Sequence, residues 1–131
     1  MTITIDHIAI WVKDLERAKN FYVKYFDMVC SNKYHNPTKQ FSSYFLSFKH
    51  SIIRIELMYR PDIMEHVGKK GVTNGFTHFA ISVGSKEHVH ELTEKLRADH
   101  FVIESEPRTT GDGYYESVVL DTEGNWIEIT V

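Results

Sequence analysis

The sequence predicts an α+β fold made of two tandem βαβββ modules, and three observations carry that prediction. Residues 6–13 read DHIAIWVK and residues 77–84 read THFAISVG, one alternating phrase written twice with histidine second each time. Each phrase is followed by an N-cap residue and a stripe of apolar side chains at helical spacing. Two later runs, IIRIELM (52–58) and NWIEITV (125–131), also match, and each carries a single glutamate among aliphatic neighbours.

The elements follow in order. In the first strand Ile3, Ile5, His7, Ala9 and Trp11 share one face, and Thr4, Asp6, Ile8, Ile10 and Val12 the other. Asp14 caps a helix whose buried stripe is Leu15, Ala18, Phe21, Tyr22, Tyr25 and Phe26. Strand-like runs follow at 29–35, 41–48 and 51–58, punctuated by Asn36-Pro37 and Lys49-His50. A polar connector from Tyr59 to Gly75 contains Pro61, Gly68, Gly71 and Asn74-Gly75. The order then restarts: a strand at 76–83, Ser85 as N-cap, a helical stripe of Val89, Leu92 and Leu96, and strands at 101–106, 114–121 and 125–131. The expected organisation is one domain over 1–131, with modules 1–58 and 76–131 joined by connector 59–75.

Composition narrows the function. The chain has 131 residues, 42% hydrophobic and 25% charged, with a formal charge of −3. The net acidity and scattered basic residues argue against nucleic acid as the main partner. No apolar run approaches the ~20 residues that a membrane helix needs. The amino terminus lacks a signal-peptide pattern, so a cytoplasmic protein is expected. Cys30 is the single cysteine, which excludes an intrachain disulfide and a multi-cysteine metal site; a buried thiol is expected there.

The chemistry is concentrated in the repeat. His7 and His78 are 71 residues apart, Glu56 and Glu128 are 72 apart, and the His-to-Glu intervals are 49 and 50. Strand alternation sets each glutamate opposite Ile53, Ile55 and Leu57, or Ile127, Ile129 and Val131, hence away from the face expected under a helix. A carboxylate on an otherwise apolar surface calls for a cation or hydrogen bonds. Two imidazoles and two carboxylates form a mixed N/O set suited to a borderline divalent ion such as Zn²⁺, Ni²⁺, Co²⁺, Mn²⁺ or Fe²⁺. The other six histidines have no counterpart across the repeat, and His88 and His90 are spaced too closely to share a helix face. No phosphate loop, nucleophile elbow or zinc-protease helix is present.

Taken together, the paired βαβββ units, the histidine at the head of each and the glutamate at the end of each resemble the vicinal oxygen chelate superfamily (glyoxalase/bleomycin resistance/dioxygenase proteins). The order His–Glu–His–Glu is similar to its glyoxalase I branch. DLERAKNFYVKYFDM resembles the family's first helix and VLDTEGNWIEI its final hairpin, with Asp121-Thr122-Glu123-Gly124 where Asp-Pro-x-Gly is common. The resemblance implies curved mixed sheets around a metal-binding cleft, with one divalent ion (Ni, Zn or Co) held by His7, Glu56, His78 and Glu128. It also implies a homodimer. The implied activity is a lactoylglutathione lyase-like lyase or isomerase, moving a proton through a metal-stabilised enediolate on a 2-oxoaldehyde–thiol hemithioacetal or similar small substrate. Glu128 is the first choice as base and Glu56 the second.

One position departs from the pattern. Bacterial enzymes of this type usually carry an arginine four residues after the first metal histidine, where this chain has Trp11. An indole offers a wall or stacking surface and cannot pair with a carboxylate. Trp11 is therefore the candidate substrate wall, and Arg54, or Arg60 beyond it, the candidate replacement charge. Two other readings stand beside the lyase. A dioxygenase or thiol transferase of the same scaffold would use two histidines and one glutamate, which the additional Glu56 disfavours. A metal-free binding or resistance protein would use an aromatic pocket drawn from Trp11, Phe45, Tyr114 and Tyr115.

Overall fold

A computed structural model describes all 131 residues, in two compact units, Met1–Glu65 and His66–Val131. In the first, β1 (His7–Trp11) leads into α1 (Leu15–Phe26), followed by β2 (Val29–Cys30), β3 (Tyr34–Asn36), β4 (Phe41–Ser47) and β5 (Arg54–Tyr59). In the second, β6 (His78–Ser82) leads into α2 (Lys86–Ala98), then β7 (Ile103–Thr109), β8 (Tyr115–Leu120) and β9 (Trp126–Thr130). Each unit carries one mixed sheet. The first has the order β1-β5-β4-β2, with β3 also paired to β4, and the second β6-β9-β8-β7. In both, the first strand runs parallel to the last, and the rest of the ladder is antiparallel.

Both helices begin where a side-chain oxygen captures an orphan amide. Asp14 accepts from the Arg17 amide at 3.0 Å, and Ser85 from the His88 amide at 3.2 Å. Helix α1 ends at Asp27, whose left-handed backbone (φ 51°) turns its amide back to the Tyr22 carbonyl. All six residues of the expected α1 stripe are buried. On α2 the buried residues are Val89, Thr93 and Leu96, with Leu92 half-buried. Thr93 is tolerated in the core because its hydroxyl meets the Val89 carbonyl at 2.6 Å and the Ser117 hydroxyl at 2.7 Å. Tyr44, on the helix side of the first sheet, donates its phenol to Glu16 of α1 at 2.8 Å. Burial and that carboxylate together push its pKa up to about 12.

Alternation assigns the faces as expected. Ile55, Leu57, Ile127 and Ile129 are buried on the helix side, so Glu56 and Glu128 occupy the other face of their sheets. Several boundaries differ. The first strand begins at His7, and Ile3 and Ile5 lie exposed before it; Ile53 is likewise exposed ahead of β5. The 29–35 run divides into β2 and β3, with the register against β4 slipping by one residue between them. There Ser31 replaces a ladder bond with its side chain, its hydroxyl accepting from the Phe45 amide at 2.9 Å. Strand β7 runs on to Thr109 through Pro107, which its edge position permits.

The β8–β9 turn explains why Asp121 and Gly124 stand where they do. The buried Asp121 carboxylate accepts from the amides of Glu123 (2.9 Å) and Asn125 (2.8 Å) and from the Asn125 side chain (3.0 Å). Gly124 supplies the positive φ of 79° that closes the turn. Thr122 takes the place of proline in the commoner version of this turn without loss of these bonds.

Candidate metal centre

Each unit brings one predicted histidine to its predicted glutamate. In the first, Glu56 of β5 sits opposite Ala9 of β1, two residue pairs along from His7 and Arg54 and hence on the same face. The His7 Nε2 is 3.7 Å from Glu56 Oε1. In the second, the register repeats with Ala80 opposite Glu128 and His78 opposite Trp126, and the His78 Nε2 is 3.1 Å from Glu128 Oε2. Both histidine side chains are 36% exposed, and the glutamates 15% and 16%. The two units thus offer equivalent N/O pairs, each half-sheltered with its donor atoms reachable. No group of three or more His, Cys, Asp or Glu side chains is gathered as a metal site.

The surroundings of the pairs differ. In the first unit Asp6 Oδ2 lies 2.7 Å from His7 Nδ1 and accepts from the Arg54 guanidinium at 2.7 Å. These contacts, His7 first, hold the Asp6 carboxyl below the usual carboxylate range. The Arg54 guanidinium also stacks over Phe45, 4.3 Å from the ring centre, and Phe45 meets the His7 ring edge-on at 5.3 Å. Further along this face Trp11 packs edge-on against Phe41, which also meets Tyr34. The Arg60 guanidinium lies over the indole at 5.4 Å while pairing with Asp62. Arg54 and Arg60 therefore both carry acidic partners, and Trp11, Phe41 and Tyr34 form an aromatic cluster separate from the His7–Phe45 pair.

In the second unit the neighbour is another carboxylate. Glu116 of β8 lies opposite Thr130, on the same face as Glu128 and two residues from its partner Val118. Burial, and then the hydrogen bond and charge of Glu128, push the Glu116 pKa up to about 7. Sequence reading missed Glu116; its single signal is a glutamate opening the apolar run SVVL. The corresponding position of the first unit, opposite Met58, is Ser43. Tyr115 turns to the helix side, where Lys86 of α2 lies over its ring, and Tyr114 is exposed.

Connector residues close over Trp126. Gly71 lies against the indole, Lys69 sits over it at 5.7 Å and pairs with Glu104 at 2.6 Å, and Lys70 donates to the Glu123 carbonyl at 3.0 Å. The Trp126 Nε1 is buried without a hydrogen-bond partner. The remaining histidines play smaller parts. His35 contacts the Ser42 hydroxyl at 2.8 Å, and His88 the Val83 carbonyl at 2.9 Å, at the foot of α2. Cys30, expected to be buried, is half-buried, and that burial raises its thiol pKa above the usual value.

With this geometry in place, comparison with known proteins decides the family. Residues 4–129 match the model of the Glyoxalase/Bleomycin resistance protein/Dioxygenase superfamily. The chain belongs to that superfamily. Among solved structures this superfamily member is similar to the trypanothione-dependent glyoxalase I of Leishmania major, with 25% identity and a TM-score of 0.78 over 98% of this chain and 86% of that one. It is also similar to glyoxalase I from Zea mays, with 26% identity and a TM-score of 0.77 over 96% of this chain, which spans 43% of the maize protein. A glyoxalase family protein from Enterococcus faecalis shares the fold at 21% identity and a TM-score of 0.76, over 98% and 97% of the two chains. No curated protein matches the sequence. No helix of this superfamily member is long and apolar enough to cross a membrane.

Proposed function

We propose that the protein is a metal-dependent lyase or isomerase of glyoxalase I type, active as a cytoplasmic homodimer on a 2-oxoaldehyde–thiol hemithioacetal. The observation that carries this reading is the doubled pair: His7 with Glu56 and His78 with Glu128, in matching register on the helix-free faces of the two sheets. The donor chemistry fits a divalent ion. Each imidazole turns its Nε2 toward a carboxylate oxygen, and two such pairs supply the mixed N/O set that Ni²⁺, Zn²⁺ and Co²⁺ accept. In this reading the four side chains hold one ion. When bound, it supplies Lewis-acid stabilisation to charge developing on a substrate oxygen.

The chain's own residues supply the rest. Glu128 takes the proton from the carbon that bears hydroxyl and thioether, and delivers it to the adjacent carbonyl carbon. The hydroxyl proton moves to the former carbonyl oxygen, so a 2-hydroxyacyl thioester forms with no net gain or loss of atoms. Trp11 and its aromatic neighbours offer a flat apolar wall to the non-reacting part of the substrate. Arg54, with one guanidinium N–H on Asp6, offers its remaining donors to a substrate carboxylate.

The test is a titration of metal-free protein with Ni²⁺, Co²⁺ and Zn²⁺, following loss of methylglyoxal hemithioacetals formed with several thiols. The expected result is turnover restored by at least one metal. No turnover with any metal and thiol would sink the lyase reading.

A further inference from the structure

His7 differs from His78 in what stands behind it, and the difference is chemical. A carboxylate ion only accepts hydrogen bonds, so the 2.7 Å contact between Asp6 Oδ2 and His7 Nδ1 requires a proton on Nδ1. A neutral imidazole protonated there has its lone pair on Nε2, the atom that faces Glu56. The Asp6 carboxylate is itself restrained. Its Oδ2 accepts from Arg54 Nη2 at 2.7 Å, its backbone carbonyl accepts from the Arg54 amide at 3.2 Å, and the Arg54 guanidinium is laid over Phe45. Phe45 in turn closes on the His7 ring edge-on. His7 is thus gripped by a chain of contacts running Asp6–Arg54–Phe45 and back to its own ring.

The equivalent of Asp6 in the second unit is Thr77. A hydroxyl donates and accepts alike, and imposes neither tautomer on its neighbour. Sequence alternation hid this role, because it places Asp6 on the opposite strand face from His7. The ladder instead starts at His7, and Asp6 precedes it.

We infer that Asp6 is a positioning residue for His7, fixing the Nδ1-protonated tautomer and the ring orientation so that Nε2 is ready to ligate before any ion arrives. Arg54 serves it by holding the carboxylate. The inference rests on the reading of His7 as a metal ligand and adds an asymmetry to it: a carboxylate stands behind the His7 ring, whereas the equivalent position beside His78 is Thr77.

Two measurements on Asp6→Ala, Asp6→Asn and Thr77→Ala test this. The first is the ¹⁵N shift pattern of the imidazoles in the metal-free full-length protein. Wild type is expected to show His7 protonated on Nδ1, facing Asp6, and His78 protonated on Nε2, facing Glu128. Asp6→Ala should turn His7 into a mixture, and Thr77→Ala should change nothing at His7. The second is competition for Zn²⁺ against a chelator, where Asp6→Ala should bind about 10- to 100-fold more weakly. Asp6→Asn, which keeps an acceptor oxygen, should recover part of that loss, and Thr77→Ala should bind like wild type. Wild-type protein that binds Zn²⁺, with tautomer and affinity unmoved in Asp6→Ala, would overturn the inference alone. Wild-type protein that binds no ion through His7 would overturn the metal reading beneath it, and this inference with it.

Discussion

Glu128→Gln is expected to lower kcat for hemithioacetal conversion by about 100- to 10,000-fold, the usual contribution of a positioned general base. Glutamine keeps the shape of the side chain and an oxygen that can face His78, but it cannot take a proton. The fold should survive, because the helix-side core of β9 is Ile127 and Ile129 and the glutamate stands on the other face. Glu56→Gln is the matched comparison. It removes the same charge from the equivalent register position, where the cross-strand neighbours are Ala9 and Phe45 and Ser43 stands in the place of Glu116. Its expected effect is weaker metal retention with kcat at saturating metal reduced much less. Measuring kcat and metal affinity separately for both variants distinguishes the roles. A larger loss of kcat in Glu56→Gln would transfer the base assignment to the first unit.

Gly71→Ala is expected to destabilise the protein by about 2–4 kcal/mol and to lower Tm on the order of 10 °C. Two costs combine. The backbone at Gly71 has φ +86°, a left-handed conformation that side chains other than glycine rarely adopt, and a β-carbon there would lie 2.3 Å from Trp126 Cε2. Real carbons do not approach so closely, so either the connector or the indole must move. Gly124→Ala provides the control: its φ is +79°, and an added β-carbon meets nothing within 4 Å. It should show the backbone cost alone, about 1–2 kcal/mol. The difference between the two variants, read by thermal or denaturant unfolding, isolates the Trp126 contact. Equal losses would show that the connector does not press on the indole. Because Trp126 lies opposite His78 on the same sheet face, Gly71→Ala should also alter tryptophan fluorescence.

The features most legible in the sequence were those set by period and repetition. A strand's two-residue period fixed the faces of Glu56 and Glu128 relative to their buried isoleucine and leucine neighbours, and the repeat made each histidine–glutamate pairing visible twice. Helix starts were legible because Asp14 and Ser85 are local devices, each capping an amide three residues on. What escaped depended on partners distant in the chain. Ile3 and Ile5 alternate correctly, but β5 starts at Arg54 and leaves them no strand to pair with. Ser31 breaks the 29–35 run through a bond to Phe45 that no local pattern announces. Thr93 is accommodated in the core by the Val89 carbonyl on its own helix and by Ser117, on another element. Glu116 became notable only when the β8–β9 register placed it beside Glu128.

In the reading proposed above, His7, Glu56, His78 and Glu128 are the ligands of a divalent ion. Metal content of purified wild type, His7→Ala and His78→Ala, measured with protein concentration after equilibration with Ni²⁺ or Zn²⁺, tests it most directly. One ion per chain in wild type and loss of that ion in both variants is the predicted result. Full metal retained in either variant, or no specific binding in wild type, would contradict it.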